Sequence, residues 1–141
     1  TRTVQLQQAT DVWKAIGCHV TSMSPESHDA AFAAVSHLPH LLAFSLINAI
    51  TGQPQGKEFL SLAGPGFRDF TRIAASEPNV WRDILLANRE ELLAQSKIFQ
   101  RALQAFEQTI SSGNADALEK LISQASDTRA HWRINAGKPH K

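Results

Sequence analysis

Residues 29–50 read DAAFAAVSHLPHLLAFSLINAI. Wound at 3.6 residues per turn, this run places apolar side chains on nearly every side, which predicts a helix covered by other elements. Its start is written just upstream. Ser24 suits the N-cap, Pro25 the first helical position, and Glu26 and Asp29 put acids near the positive end. The expected helix runs from Pro25 to about Ala49. Pro39 falls inside it. Proline has no N–H to give the Val35 carbonyl and its ring crowds that carbonyl, so a kink is expected, at a cost of about 3 kcal/mol or more. Ser36, His37 and His40 surround the kink. Polar groups at a broken turn of a covered helix need partners.

Downstream, residues 51–56 (TGQPQG) read as a loop and Lys57–Ala63 as a short helix. Then comes GPGFRDFTRIAASEPNVWR, residues 64–82. Gly64, Pro65 and Gly66 predict a turn where backbone can approach something closely. Phe67–Ala75 reads as a short helix on which Asp69 and Arg72, three apart, share a face. Pro78 opens the next helix, with Trp81 near its head and facing the Arg72 region. Arg72 lies among Phe70, Ile73 and Ala74, and its planar fork fits a carboxylate. The stretch therefore reads as half of a site for a small anion. The bland alternative is an internal salt bridge from Arg72 to Asp69 or to another acid. Arg68, Arg82 and Arg89 read as solvated, or paired with Asp69, Asp83 and Glu90 or Glu91.

From Pro78 an apolar stripe runs through Trp81, Leu85, Asn88, Leu92, Phe99, Leu103, Phe106 and Ile110, with a small break expected near Gln95. Gly113 ends it, and Asn114 caps a last helix from Ala115 to about Asn135, which predicts an antiparallel hairpin. Residues 136–141 (AGKPHK) form a basic, frayed tail. At the other end, Thr10 and Asp11 suggest a helix start and Gly17 a stop, with the 3.6 period holding from Ala9 to Ile16. Residues 18–23 (CHVTSM) read as one short strand. A single strand cannot satisfy its own backbone, so it should pair with a sheet outside this chain. The expected class is all-α, with a short N-terminal helix–strand remnant of a different domain.

Composition narrows the function. Fourteen Lys and Arg face thirteen Asp and Glu, a net charge of +1, so no global field recruits nucleic acid or an anionic membrane. The single cysteine, Cys18, excludes an internal disulfide framework and fits a reducing, cytoplasmic setting. The longest apolar run, Leu38–Ile50, is broken by Pro39, His40, Ser45 and Asn48, short of the roughly 18 residues a membrane span needs. The chain opens on Thr1 without a signal-peptide pattern, which reads as a piece of a longer protein. Dinucleotide-loop, P-loop, CxxC and GxSxG motifs are missing from the sequence. His37 and His40 have spacing that could ligate a metal, but no further ligands accompany them, so no metal is expected.

With these motifs in place, SHLPHLLAFSL (36–46) followed by GPGFRDFTRIAASEPNVWRDILLANRE (64–90), and SPESHD (24–29) before them, resemble the C-terminal helical domain of prephenate dehydrogenases. That family includes the cyclohexadienyl and arogenate dehydrogenases of tyrosine biosynthesis. The resemblance implies a cytoplasmic, NAD- or NADP-dependent oxidoreductase that decarboxylates prephenate or arogenate oxidatively. It implies residues 1–23 as the tail end of a nucleotide-binding Rossmann domain and 24–141 as a helical domain that forms a homodimer. The fragment alone would lack the catalytic histidine and the cofactor site, and would be inactive. Position by position, Ser36, His37 and His40 resemble substrate contacts, Arg72 the carboxylate clamp, and Trp81 a pocket wall. Asp69 resembles a member of an ion network at the site entrance, and Gly64 and Gly66 keep the turn near the site. Pro65 departs from the glycine common in the family and removes a backbone N–H there. A non-catalytic helical dimerisation or effector-binding module is the alternative function.

Overall fold

The computed structural model describes residues 2–133, and among them every regular element is helical. The order is α1 (Arg2–Ala15), α2 (Pro25–Phe32), a π turn (Ala33–His37), α3 (Leu38–Thr51), α4 (Gly56–Ser61), α5 (Pro65–Thr71), a 3-10 turn (Arg72–Ala75), α6 (Pro78–Ala87), α7 (Arg89–Ser111) and α8 (Ala115–His131). The described residues fall into two compact units. One is Ser24–Ala105, and the other comprises the remaining described residues at both ends of the chain.

The unit Ser24–Ala105 is built on the expected long helix. Ser24 caps it, its hydroxyl accepting from the Ser27 N–H at 3.1 Å. Pro39 does not end the helix. Just before it, the chain widens into a π turn, and the Leu38 N–H reaches back five residues to the Ala33 carbonyl. The wider turn absorbs a proline that cannot join the i→i−4 ladder. Helical structure thus runs unbroken over Pro25–Thr51, 27 residues with a mean hydropathy of 1.6 in its most apolar window, long and apolar enough by itself to cross a membrane. The sequence reading of a shorter, broken run underestimated it because it treated Pro39 as an interruption. Here α3 packs instead against α4, α5 and the 3-10 turn. The expectation of a helix covered on all sides is not met within the chain. Ala33 and Ala43 are buried, whereas Val35 is 74% exposed.

Two boundaries near the opening of the next stretch also differ. Gly66 lies inside the first turn of α5, not in a turn before it: Gly64 is the N-cap and Pro65 the first helical residue. Thr71 then ends the α-helix, and Arg72–Ala75 tightens into the 3-10 turn, closed by the Ser76 hydroxyl donating to the Ile73 carbonyl at 2.6 Å. Pro78 starts α6 as expected, with the Glu77 carboxylate accepting from the Asn79 N–H. The break in the long apolar stripe falls at Asn88 rather than near Gln95. Gln95 has ordinary helix propensity, whereas ANRE supplies an Asn followed by acids, a helix-start pattern.

The other unit contains α1 and α8. Helix α1 starts at Arg2, well before the expected Ala9. Thr10 is an interior residue whose hydroxyl donates to the Leu6 carbonyl at 2.8 Å, an alternative to capping that Thr commonly takes. Gly17 stops the helix at φ 87°, with the Cys18 N–H bonded to the Trp13 carbonyl and the Gly17 N–H to the Lys14 carbonyl. Gly113, at φ 64°, ends α7 with the same pair of bonds, to Thr109 and Ile110. Both are Schellman endings, which need the left-handed conformation glycine adopts without penalty. The expected strand at residues 18–23 has no regular structure. A strand exists only when a neighbour takes its backbone hydrogen bonds, and among the described residues none does. Asn114 caps α8 through the Ala117 N–H at 3.0 Å. Helix α8 ends at His131, so the expected end near Asn135 and the basic tail lie outside the described residues.

Gly56 is the most closely packed glycine among the described residues. It is buried at the start of α4, and a Cβ there would collide with the Ile50 carbonyl. Gly66 faces open space. Gly56→Ala should therefore cost about 1–3 kcal/mol, read as a lower denaturant midpoint, while Gly66→Ala should be neutral or mildly stabilising.

Candidate functional site

The π turn and the first turn of α3 gather the polar residues of the sequence motif, and α6 brings an aromatic to them. Trp81 stacks on His40 with ring centroids 3.4 Å apart and planes 18° from parallel. The His37 ring meets the same indole edge-on at 6.4 Å, and Phe44 meets it at 6.4 Å and 68°. Trp81 is thus shared by three rings, while staying half-buried. Beside it opens a cleft of about 520 Å³ between α3 and α6, with Phe44, Ile47, Trp81 and Leu85 as its apolar wall and Ser76 and Arg82 at its polar margin.

Both histidines are held by their Nδ1 atoms. His40 Nδ1 lies 3.0 Å from the Ser36 carbonyl. A carbonyl only accepts, so His40 Nδ1 carries the hydrogen. The same contact, a histidine Nδ1 on the carbonyl four residues back, recurs in α8 between His131 and Asp127 at 2.7 Å. His37 Nδ1 lies 3.2 Å from the Asn88 amide nitrogen, which also donates to the Asp29 carbonyl at 2.8 Å. Burial pushes the His37 pKa below its ordinary value, His28 and His40 push the same way, and Asp29 opposes them. His37 is therefore neutral at pH 7.

Of the residues expected at the site, Ser36, His37, His40 and Trp81 come together. Arg72 stands in the 3-10 turn that packs on α3, with its side chain exposed and outside every ion pair among the described residues. Asp69 pairs with Arg68 at 3.0 Å, not with Arg72, and both partners are well exposed. Arg82 likewise takes Asp83 at 2.8 Å. The internal Asp69–Arg72 pair weighed as the bland alternative is thus not formed. Gly64 and Gly66 flank Pro65 at the start of α5, with open space around each. The residue the sequence reading missed is Asn88. It was counted as part of an apolar stripe, yet an amide at a position that pattern assigns to the core needs partners, and that mismatch was its signal.

Residues 24–124 match the family described as prephenate dehydrogenase, dimerization domain, and the chain belongs to that family. It is 36% identical over 121 residues to a cyclohexadienyl dehydrogenase of Zymomonas mobilis, covering 84% of this chain and 41% of that protein. It is 34% identical over 128 residues to a prephenate dehydrogenase of Bacillus subtilis, covering 88% of this chain and 34% of the relative. Among solved structures, the prephenate dehydrogenase of A. aeolicus in complex with hydroxyphenyl propionate and NAD+ superposes with a TM-score of 0.85 at 35% identity, over 91% of this chain and 45% of that one. Synechocystis arogenate dehydrogenase follows at 0.81 and 29%, over 89% of this chain and 46% of that one. The chain spans less than half the length of these relatives.

The depressed His37 pKa has a consequence for stability. The unfolded chain takes up a proton near the ordinary histidine pKa, and the folded chain does so only at lower pH. His37 therefore disfavours folding progressively as pH falls below about 6.5. Thermal unfolding at pH 7.5 and 5.0 should show a smaller acid-induced loss in His37→Gln, which cannot titrate, than in the wild type.

Proposed function

We propose that this chain is the substrate-binding and dimerising part of an NAD- or NADP-dependent dehydrogenase that oxidatively decarboxylates prephenate or arogenate in tyrosine biosynthesis. One observation carries the reading. An aromatic and imidazole cluster, His37, His40 and Trp81, sits on the π turn, α3 and α6, and an arginine without a carboxylate partner among the described residues, Arg72, stands on the turn packed against the same α3. A flat apolar ring with an attached carboxylate matches that combination. The ligand named for the A. aeolicus relative, hydroxyphenyl propionate, has that form.

In this reading Arg72 clamps a carboxylate, His37 and His40 with Ser36 take the substrate's other oxygens, and Trp81 walls the ring. Asp69 belongs to an ion network at the site entrance, and Gly64 and Gly66 shape the turn beside it. The nicotinamide is held by a nucleotide-binding domain, of which residues 1–23 are the tail end, and residues 24–141 form the helical domain. The cofactor supplies a hydride acceptor. Loss of hydride from the ring carbon bearing the hydroxyl, and of carbon dioxide from the opposite carbon, leaves an aromatic ring. The work of this chain is to hold the substrate so that both losses occur in a dry, oriented site.

Dimerisation follows from the same helices. Phe32, Val35, Leu86 and Leu93 are all exposed. Apolar side chains in that density suit a second copy of the chain. The setting is cytoplasmic in this reading, as for the soluble biosynthetic enzymes it resembles.

In the intact protein, Arg72→Ala should raise KM for prephenate or arogenate roughly 10- to 150-fold, corresponding to about 1.5–3 kcal/mol for a charged hydrogen bond, with a smaller change in kcat. An unchanged KM removes the clamp. Sedimentation of this chain at micromolar concentration should show a dimer, and a monomer alone would contradict the second half of the proposal.

A further inference from the structure

The structure assigns Asn88 a role in the site: we infer that it is the positioning residue that holds His37 as a neutral donor, with its proton on Nε2. The inference rests on the substrate-binding reading for its functional meaning, though not for its geometry.

The Asn88 amide nitrogen donates to the Asp29 main-chain carbonyl at 2.8 Å. That carbonyl has no hydrogen to give, so the atom facing it is the NH2 and not the amide oxygen. The same nitrogen lies 3.2 Å from His37 Nδ1. An NH2 has two hydrogens, one for each partner. His37 Nδ1 must then present its lone pair, and the neutral ring carries its single hydrogen on Nε2. A protonated His37 would set an N–H against an N–H at this contact, so Asn88 also opposes the charged form. The titratable and charged groups around His37 are His28 and Asp29 from α2 and His40 from α3. Arg89, Glu90 and Glu91, at the start of α7, line the same small cavity as Asn88 and Asp29.

Backbone structure is spent on this contact. Asn88 is the one residue between α6 and α7, at φ −110° and ψ 33°, outside the helical range. The break turns its side chain back towards α2 and the π turn. His40 is fixed the opposite way, with Nδ1–H on the Ser36 carbonyl, which leaves Nε2 as the acceptor of the neutral ring. In their neutral forms the two histidines, three residues apart, thus offer one donor and one acceptor. A substrate with a carboxylate and a hydroxyl can use both, the carboxylate oxygen accepting from His37 and the hydroxyl donating to His40.

Imidazole 15N chemical shifts and one-bond couplings, measured on this chain at pH 7.5, test the assignment. His37 should be a single Nε2–H species. A ring with its hydrogen on Nδ1, or a rapidly averaged mixture, overturns the proposal. Asn88→Asp replaces the donor with an acceptor, and should move the hydrogen to Nδ1 and raise the His37 pKa. A tautomer and pKa equal to wild type would also overturn it. Should that variant not fold, Asn88→Ala should return His37 to an averaged mixture, and a ring held as firmly as in wild type counts against Asn88. In the intact dehydrogenase, Asn88→Asp should raise KM for the dianionic substrate roughly tenfold while leaving NAD binding unchanged. If the intact protein has no prephenate or arogenate activity, the functional reading fails, yet the spectroscopic result still decides the role of Asn88.

Discussion

A single amide nitrogen, Asn88 Nδ2, bonds the Asp29 carbonyl in α2 and the His37 ring in the π turn from its place between α6 and α7. Elements distant in sequence meet at that atom. Without it the His37 nitrogen would lose its partner, and an unmade hydrogen bond at a partly buried group costs more than a formed one stabilises, whereas the Asp29 carbonyl would keep the Ala33 N–H. The site is therefore not laid on a finished scaffold. The amide that positions His37 also joins the α6–α7 junction to α2 and the π turn, while His40 is held within its own helix.

Apolar packing does less of this work than composition suggests. Among the described residues no large side chain is fully buried, and Phe32 and Val35 of the long helical run are exposed. Local order comes from capping, from two Schellman endings, and from side-chain bonds to main-chain carbonyls. Rings then stack where those devices place them, with Trp81 as the common neighbour. A family described by dimerisation fits such a division, in which local bonds shape each chain and association covers its apolar faces.

Periodicity, prolines and capping residues made most helices readable from sequence. Ser24, Pro78 and Asn114 mark helix starts, and Gly17 and Gly113 mark stops, because each acts through its own backbone or the next turn. What sequence could not show were features that depend on distant partners. Asn88 looks like a flaw in an apolar stripe until Asp29 and His37 stand beside it. The segment 18–23 has strand composition, yet strand structure is a property of two segments and not of one. Likewise Ser36, His37 and His40 were legible as a group around Pro39, and Trp81 joined them only through the resemblance to a family, whereas the atoms that the two Nδ1 groups meet depend on the folded chain.

The π turn bears on how this part of the chain can change by insertion and deletion. A π turn holds one residue more than the α-turn it replaces. Removing one of residues 33–37 would let the turn close as ordinary α, and the helix beyond it would keep close to its present direction, because the turn absorbs the change. What such a deletion would bring back is the clash of the proline ring with the carbonyl four residues before it. A deletion within α3 has no such outlet, and everything after it would rotate by about 100° and shift by about 1.5 Å. The π turn is therefore the place in the long helix where a change of length disturbs the contact of His40 with Trp81 least.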